Sequence, residues 1–156
     1  MAIYVNILNE NEMIKLKKSD INTKIYLIKQ EIKEQLFIPI NEQIIYYNSI
    51  ILNNLKTIAD YTKDTMINLN VLIIEKPFEI KLKTYTNEEF IIKNITSQIL
   101  VEEIFFILFY YYDLHPDDIN LIYKDKVLDK SKKLSYYNLT DFSVLNITIK
   151  IKTGFY

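Results

Sequence analysis

The feature that most constrains this chain is a spacing. Tyr47 recurs as Tyr123, Leu52 as Leu128, Tyr61 as Tyr137 and Leu69 as Leu145, each pair 76 positions apart. Self-similarity at a fixed interval over 156 residues means two copies of one small domain, each burying its own core. The order of periodicities inside a copy says the same. "MAIYVNIL" and "MIKLKK" alternate apolar and polar residues around the turn "NENE", which predicts a β-hairpin. In "KSDINTKIYLIKQEIKEQ" the residues Ile25, Ile28, Ile32 and Leu36 keep a 3.6-residue period, which predicts a helix capped by Asp20 or Asn22 and ended by Pro39. "QIIYYN" and "MINLNVLII" read as strands, with a short strand and turns between them. After "EKP" the series starts again, with the helix in "LVEEIFFILFYYY" and the last strand in "SVLNITIKIK". The fold class is therefore α+β in two consecutive domains, residues 1–75 and 76–156, joined by a linker too short for free tumbling.

Composition limits the function classes. Hydrophobic residues at 49% and charged residues at 25% describe an ordinary folded protein. Nineteen basic and twenty acidic residues leave a net charge of -1, so no basic field holds a phosphate backbone and nucleic acid is not an expected partner. No cysteine is present, which rules out a disulfide frame, a thiolate zinc site and a cysteine nucleophile, and suits a reducing cytosol. The opening residues are too short and too alternating for a secretory signal, and no stretch reaches the roughly 18 apolar residues of a membrane span. The expected location is cytoplasmic, away from membranes. His115 has no Ser or Cys partner in any recognisable motif, Asp113, Asp117 and Asp118 read as a solvated turn, and no glycine-rich phosphate loop exists. The chain is not expected to be an enzyme or to use a metal or cofactor.

Two anomalies remain. The second helix, by the register of Val101, Ile104 and Leu108, turns Phe106, Phe109 and Tyr110 outward, where the first copy has Gln30, Lys33 and Glu34. Aromatic residues on a solvent face predict contact with something, within the chain, with a second copy or with a partner protein. The other anomaly is glycine. Turns here use Asn, as in "NEN" and "LNN", the next residue most tolerant of positive φ, and the single glycine, Gly154, stands in "IKIKTGFY".

The ordered set "MAIYVNIL", "FIP", "QIIYYN", "KTIADYTKD" and "INLNVLI", with "LHPDDINLIYKDKVLD" and "LSYYNL" in the second copy, resembles ubiquitin, and the 76-residue period is one ubiquitin length. The arrangement is similar to that of tandem ubiquitin-like modifiers, such as the interferon-induced two-domain modifier of vertebrates and the two-domain modifiers of bacterial antiphage operons. The resemblance implies two β-grasp domains and carries antiviral defence as an expectation. It places the family's terminal glycines on Thr153 and Gly154, so that Gly154 would carry the conjugated carboxylate. Phe155 and Tyr156 would then be removed by a protease acting in trans. Activating and conjugating enzymes would be the partners, and target proteins the acceptors. Lys150 and Lys152 stand where the family's tail carries arginines, keeping the charge without the bidentate fork. Thr153 departs from the family's penultimate glycine.

The same resemblance places the family's apolar binding patch on Ile44, Tyr46 and Leu72 in the first copy. In the second it falls on Ile122 and Thr148, flanked by Asn120 and Asn146. The positions of the family's main chain-building lysines hold Ile50 and Thr65 in the first copy, and Lys126 and Asp141 in the second. Three readings are open: a conjugated modifier, a non-conjugated interaction module using the ubiquitin shape and the aromatic helix face, and a self-assembling protein.

Overall fold

In the computed structural model, residues 1–151 are described. The chain divides into two compact units, Met1–Glu75 and the residues from Lys76 onward.

In the first unit, alternation builds β1 (Ala2–Ile7), whose Ile3, Val5 and Ile7 are buried. It pairs antiparallel with β2 (Glu12–Lys15). The helix α1 (Ile25–Leu36) follows, then β3 (Gln43–Tyr47), β4 (Ile50–Ile51) and β5 (Met66–Ile73). β5 lies parallel to β1 and antiparallel to β3, giving the order β2-β1-β5-β3-β4. The second unit repeats this with β6 (Phe78–Thr84), β7 (Glu89–Ile95), α2 (Val101–Tyr112), β8 (Ile119–Tyr123), β9 (Lys126–Val127) and β10 (Ser143–Ile149), in the order β7-β6-β10-β8-β9. Each unit is a mixed five-stranded sheet gripping one helix, the β-grasp arrangement.

Both cores form where a helix stripe meets the inner face of its sheet. Ile25, Ile28 and Ile32 pack with Val5, Leu69 and Val71, and Leu36 is partly buried against them. Val101, Ile104 and Leu108 pack with Leu82, Leu121 and Leu145. Each such side chain, fully buried, contributes about 1.5–3 kcal/mol.

The helix starts differ from the sequence expectation. Neither Asp20 nor Asn22 caps α1; its N-cap is Lys24, without a side-chain bond. Asp20 instead accepts the Asn22 amide at 2.8 Å in a turn before the helix. The free helical amides are satisfied by backbone: Ile25 N–H donates to Lys56 O and Tyr26 N–H to Asn54 O. The second copy uses the same device, with Val101 N–H on Lys132 O and Glu102 N–H on Lys130 O. At its other end α1 stops at Leu36 because Phe37 is left-handed (φ 58°), two residues before Pro39. Asn11 of "NEN" has positive φ as expected, but the two asparagines of "LNN" do not. Asn53 forms a side-chain turn there, accepting the Leu55 amide at 2.8 Å.

Candidate functional site

The tail begins on a rung that both copies share. Lys150 N–H donates to Asp118 O at 2.8 Å, as Ile74 N–H does to Glu42 O at 2.8 Å in the first copy. Beyond it Ile151 is 91% exposed. Lys152, Thr153, Gly154 and Phe155, which carry most of the tail expectation, lie outside the described residues. Beside Lys150, a mostly apolar cavity of about 490 Å³ is lined by Tyr85, Leu114, His115 and Ile149 among others.

His115 holds its own turn, its Nδ1 accepting the Asp117 amide at 3.2 Å while its ring meets Phe109 edge-on at 5.5 Å. Asp113 is the left-handed C-cap of α2. Among the described residues no group of three or more His, Cys, Asp or Glu is placed to hold a metal ion, and no helix is long and apolar enough to cross a membrane.

On the outer face of the first sheet the register sets Ile44 opposite Leu72 and Tyr46 opposite Asn70, with Ile51 on the other side of Tyr46. Ile44, Tyr46 and Leu72 are thus neighbours, all half-buried. In the second sheet Ile122 faces Asn146 and Thr148 faces Asn120, so Ile122 and Thr148 meet only diagonally across asparagines. The first patch is apolar and continuous, whereas the second is diluted.

The helix face is exposed: Phe106 at 57%, Phe109 at 47% and Tyr110 at 80%. Tyr111 extends it, its ring edge-on to Tyr110 at 4.9 Å. The neighbouring Phe105 is buried, with Lys130 Nζ 4.7 Å from its ring centre.

Two polar features escape sequence reasoning. Glu31 on α1 is buried, and its carboxylate accepts from the Lys17 amide, from the Lys18 amide at 3.0 Å and from the Ser19 hydroxyl at 2.6 Å. Burial pushes this carboxyl up, yet the Ser19 hydroxyl and the amides of Lys18, Lys17 and Ser19 together outweigh it and hold the group below the usual carboxylate range. Gln43, also buried, donates from Nε2 to Lys29 O at 2.9 Å and Ile38 O at 2.8 Å, tying the helix end to β3. Both side chains are polar in a chain full of exposed polar residues, so only tertiary contact marks them out. The position matching Glu31 in the second copy is Ile107, an absence of charge that a comparison of the copies does reveal.

Tyr61 and Tyr137 are a repeated device. Their hydroxyls accept the Asn53 and Asp129 amides at 2.8 and 2.7 Å, pinning equivalent turns. Asp129 in turn is held below the ordinary carboxylate range mainly by the Ser131 amide, as Asp60 is by the Thr57 amide.

A sequence model of the ubiquitin family matches residues 80–152, the second unit from β6 into the tail. With the same topology in the first unit, the chain consists of two consecutive ubiquitin-like β-grasp domains.

Proposed function

From two consecutive ubiquitin-like domains, we propose that the chain is a protein modifier, matured by cleavage after Gly154, which removes Phe155 and Tyr156, and attached through Gly154 to lysines of target proteins. The supporting observation is the family match, which runs through β10 to Lys152, two positions before the only glycine. The chemistry favours glycine there. The terminal carboxylate is adenylated by an activating enzyme at the expense of ATP, releasing pyrophosphate; an enzyme thiol then displaces AMP to give a thioester, and a lysine amine attacks that thioester, forming the isopeptide bond and releasing the thiol. A residue without Cβ leaves that carbonyl open to each attack. Lys150 and Lys152 give the tail a positive approach to acidic enzyme surfaces. In its narrower form the reading is a cytoplasmic two-domain modifier of antiviral defence.

Intact mass of the protein recovered from its native cells tests this. The expected result is a chain ending at Gly154, with heavier adducts that vanish in Gly154→Ala. A chain that keeps Phe155 and Tyr156 and carries no adducts, under conditions where the protein acts, overturns it.

The exposed face of Phe106, Phe109 and Tyr110 favours a second reading, a non-conjugated module that binds a partner protein through α2. In that case function survives deletion of residues 153–156 and fails in Phe106→Glu with Phe109→Glu.

A further inference from the structure

The second sheet has an open edge whose chemistry is its own complement. β7 stands first in its sheet and pairs with β6 on one side. Leu82 lies opposite Phe90 and Ile80 opposite Ile92, and Thr84 N–H donates to Glu88 O. Alternation in an antiparallel ladder therefore turns the main-chain groups of Glu88, Phe90 and Ile92 toward β6 and those of Glu89, Ile91 and Lys93 toward the open side. The side chains of the same three residues are exposed, Ile91 at 49%. Just beyond, Asn94 takes a left-handed φ of 57° at a register shift against Phe78 and Ile80, so the flat run is Glu89–Lys93.

The first copy guards the matching edge. β2 has only four residues, the edge continues into the like-charged Lys15, Lys17 and Lys18, and the amides of Lys17 and Lys18 are already taken by Glu31. The second copy has Ile107, a side chain without a carboxylate, at the position of Glu31.

We propose that β7 pairs antiparallel with β7 of a second copy of this chain, about a twofold axis at Ile91, joining two second-domain sheets into one. The run "EFIIK" is palindromic in charge. With Ile91 opposite Ile91, Glu89 faces Lys93 and Lys93 faces Glu89 on the exposed side. The open main-chain groups of the three residues meet in register, two hydrogen bonds at each of three rungs. Glu89 also lies 3.3 Å from Lys81 of its own chain, and its two oxygens serve both lysines. One strand pair buries less than the roughly 1,200 Å² of a stable interface, so the dimer is concentration-dependent, with a dissociation constant on the order of micromolar or weaker. This inference rests on the fold and is independent of conjugation.

Sedimentation of the full chain over a concentration series tests it, with circular dichroism to establish that each variant is folded. The expected result is a monomer–dimer equilibrium weakened about tenfold or more in Glu89→Lys and in Lys93→Glu, each of which sets like charges opposite, and restored in the double swap. The chain has no cysteine, so Ile91→Cys reports alone. Opposed residues in such a pair have Cα atoms about 5.5 Å apart, within disulfide reach, and oxidation should give a covalent dimer, while Lys15→Cys on the first copy's edge should not. A chain that stays monomeric at every concentration, a dimer indifferent to both charge reversals, or an Ile91→Cys variant that fails to cross-link overturns the proposal.

Discussion

At the residue scale, Glu31 makes the sharpest difference between the copies. Its folded carboxyl is held low by the Ser19 hydroxyl and the amides of Lys18, Lys17 and Ser19 against the opposing effect of burial. A depressed folded value contributes stability above the unfolded value, about 4.3 for Glu, and that contribution is lost as pH falls through the folded value. The first domain should therefore lose stability below about pH 5, and Glu31→Gln should flatten that loss while costing about 1–3 kcal/mol at neutral pH through poorly matched donors. Urea unfolding at a series of pH values, followed on first-domain amides, measures both. The tyrosine pins make a second residue-scale prediction. Tyr61→Phe and Tyr137→Phe should each cost about 1 kcal/mol, seen as faster exchange of the Asn53 amide in one variant and of the Asp129 amide in the other. The paired tyrosines were visible in the sequence as a recurrence, but not their hydroxyl bonds, because the acceptor role depends on a turn eight residues away folding back.

At the scale of elements, nearly every strand and both helices were legible, since alternation and the 3.6-residue period report which face is buried. The caps were not. Asp20 and Asn22 have the right chemistry, but α1 begins later and takes its backbone acceptors from residues 54 and 56, distant in sequence. The outward turn of Phe106, Phe109 and Tyr110 followed from the register of Val101, Ile104 and Leu108 and needed no tertiary information. The contrast with Phe105, one position away and buried, gives a prediction. Phe105→Ala should cost about 3–5 kcal/mol. Phe106→Glu with Phe109→Glu should change stability by no more than about 1 kcal/mol and raise solubility. Thermal unfolding of the three proteins separates a face held for contact from one held for packing: a large loss in the double variant would mean that the stripe is part of the fold.

At the scale of the whole molecule, the 76-residue recurrence disclosed the duplication, and the family match covers residues 80–152, within the second copy. The first copy buries Glu31 and Gln43 where the second copy has Ile107 and Ile119. The second exposes Phe106, Phe109 and Tyr110 on its helix where the first has Gln30, Lys33 and Glu34. Each copy nevertheless keeps a complete core, so each should open as its own cooperative unit. Ile28→Ala and Ile104→Ala delete equivalent buried side chains, and each should cost about 2–5 kcal/mol. Hydrogen exchange resolved along the chain should show loss of protection in Met1–Glu75 alone for the first variant and from Lys76 onward alone for the second. Loss across both units from either substitution would mean that the copies fold as one body and that the duplication no longer divides the molecule's stability. Independent loss would leave one domain free to specialise in its outward surfaces while the other holds its shape, the division of labour that the unequal sheet edges and unequal helix faces already describe.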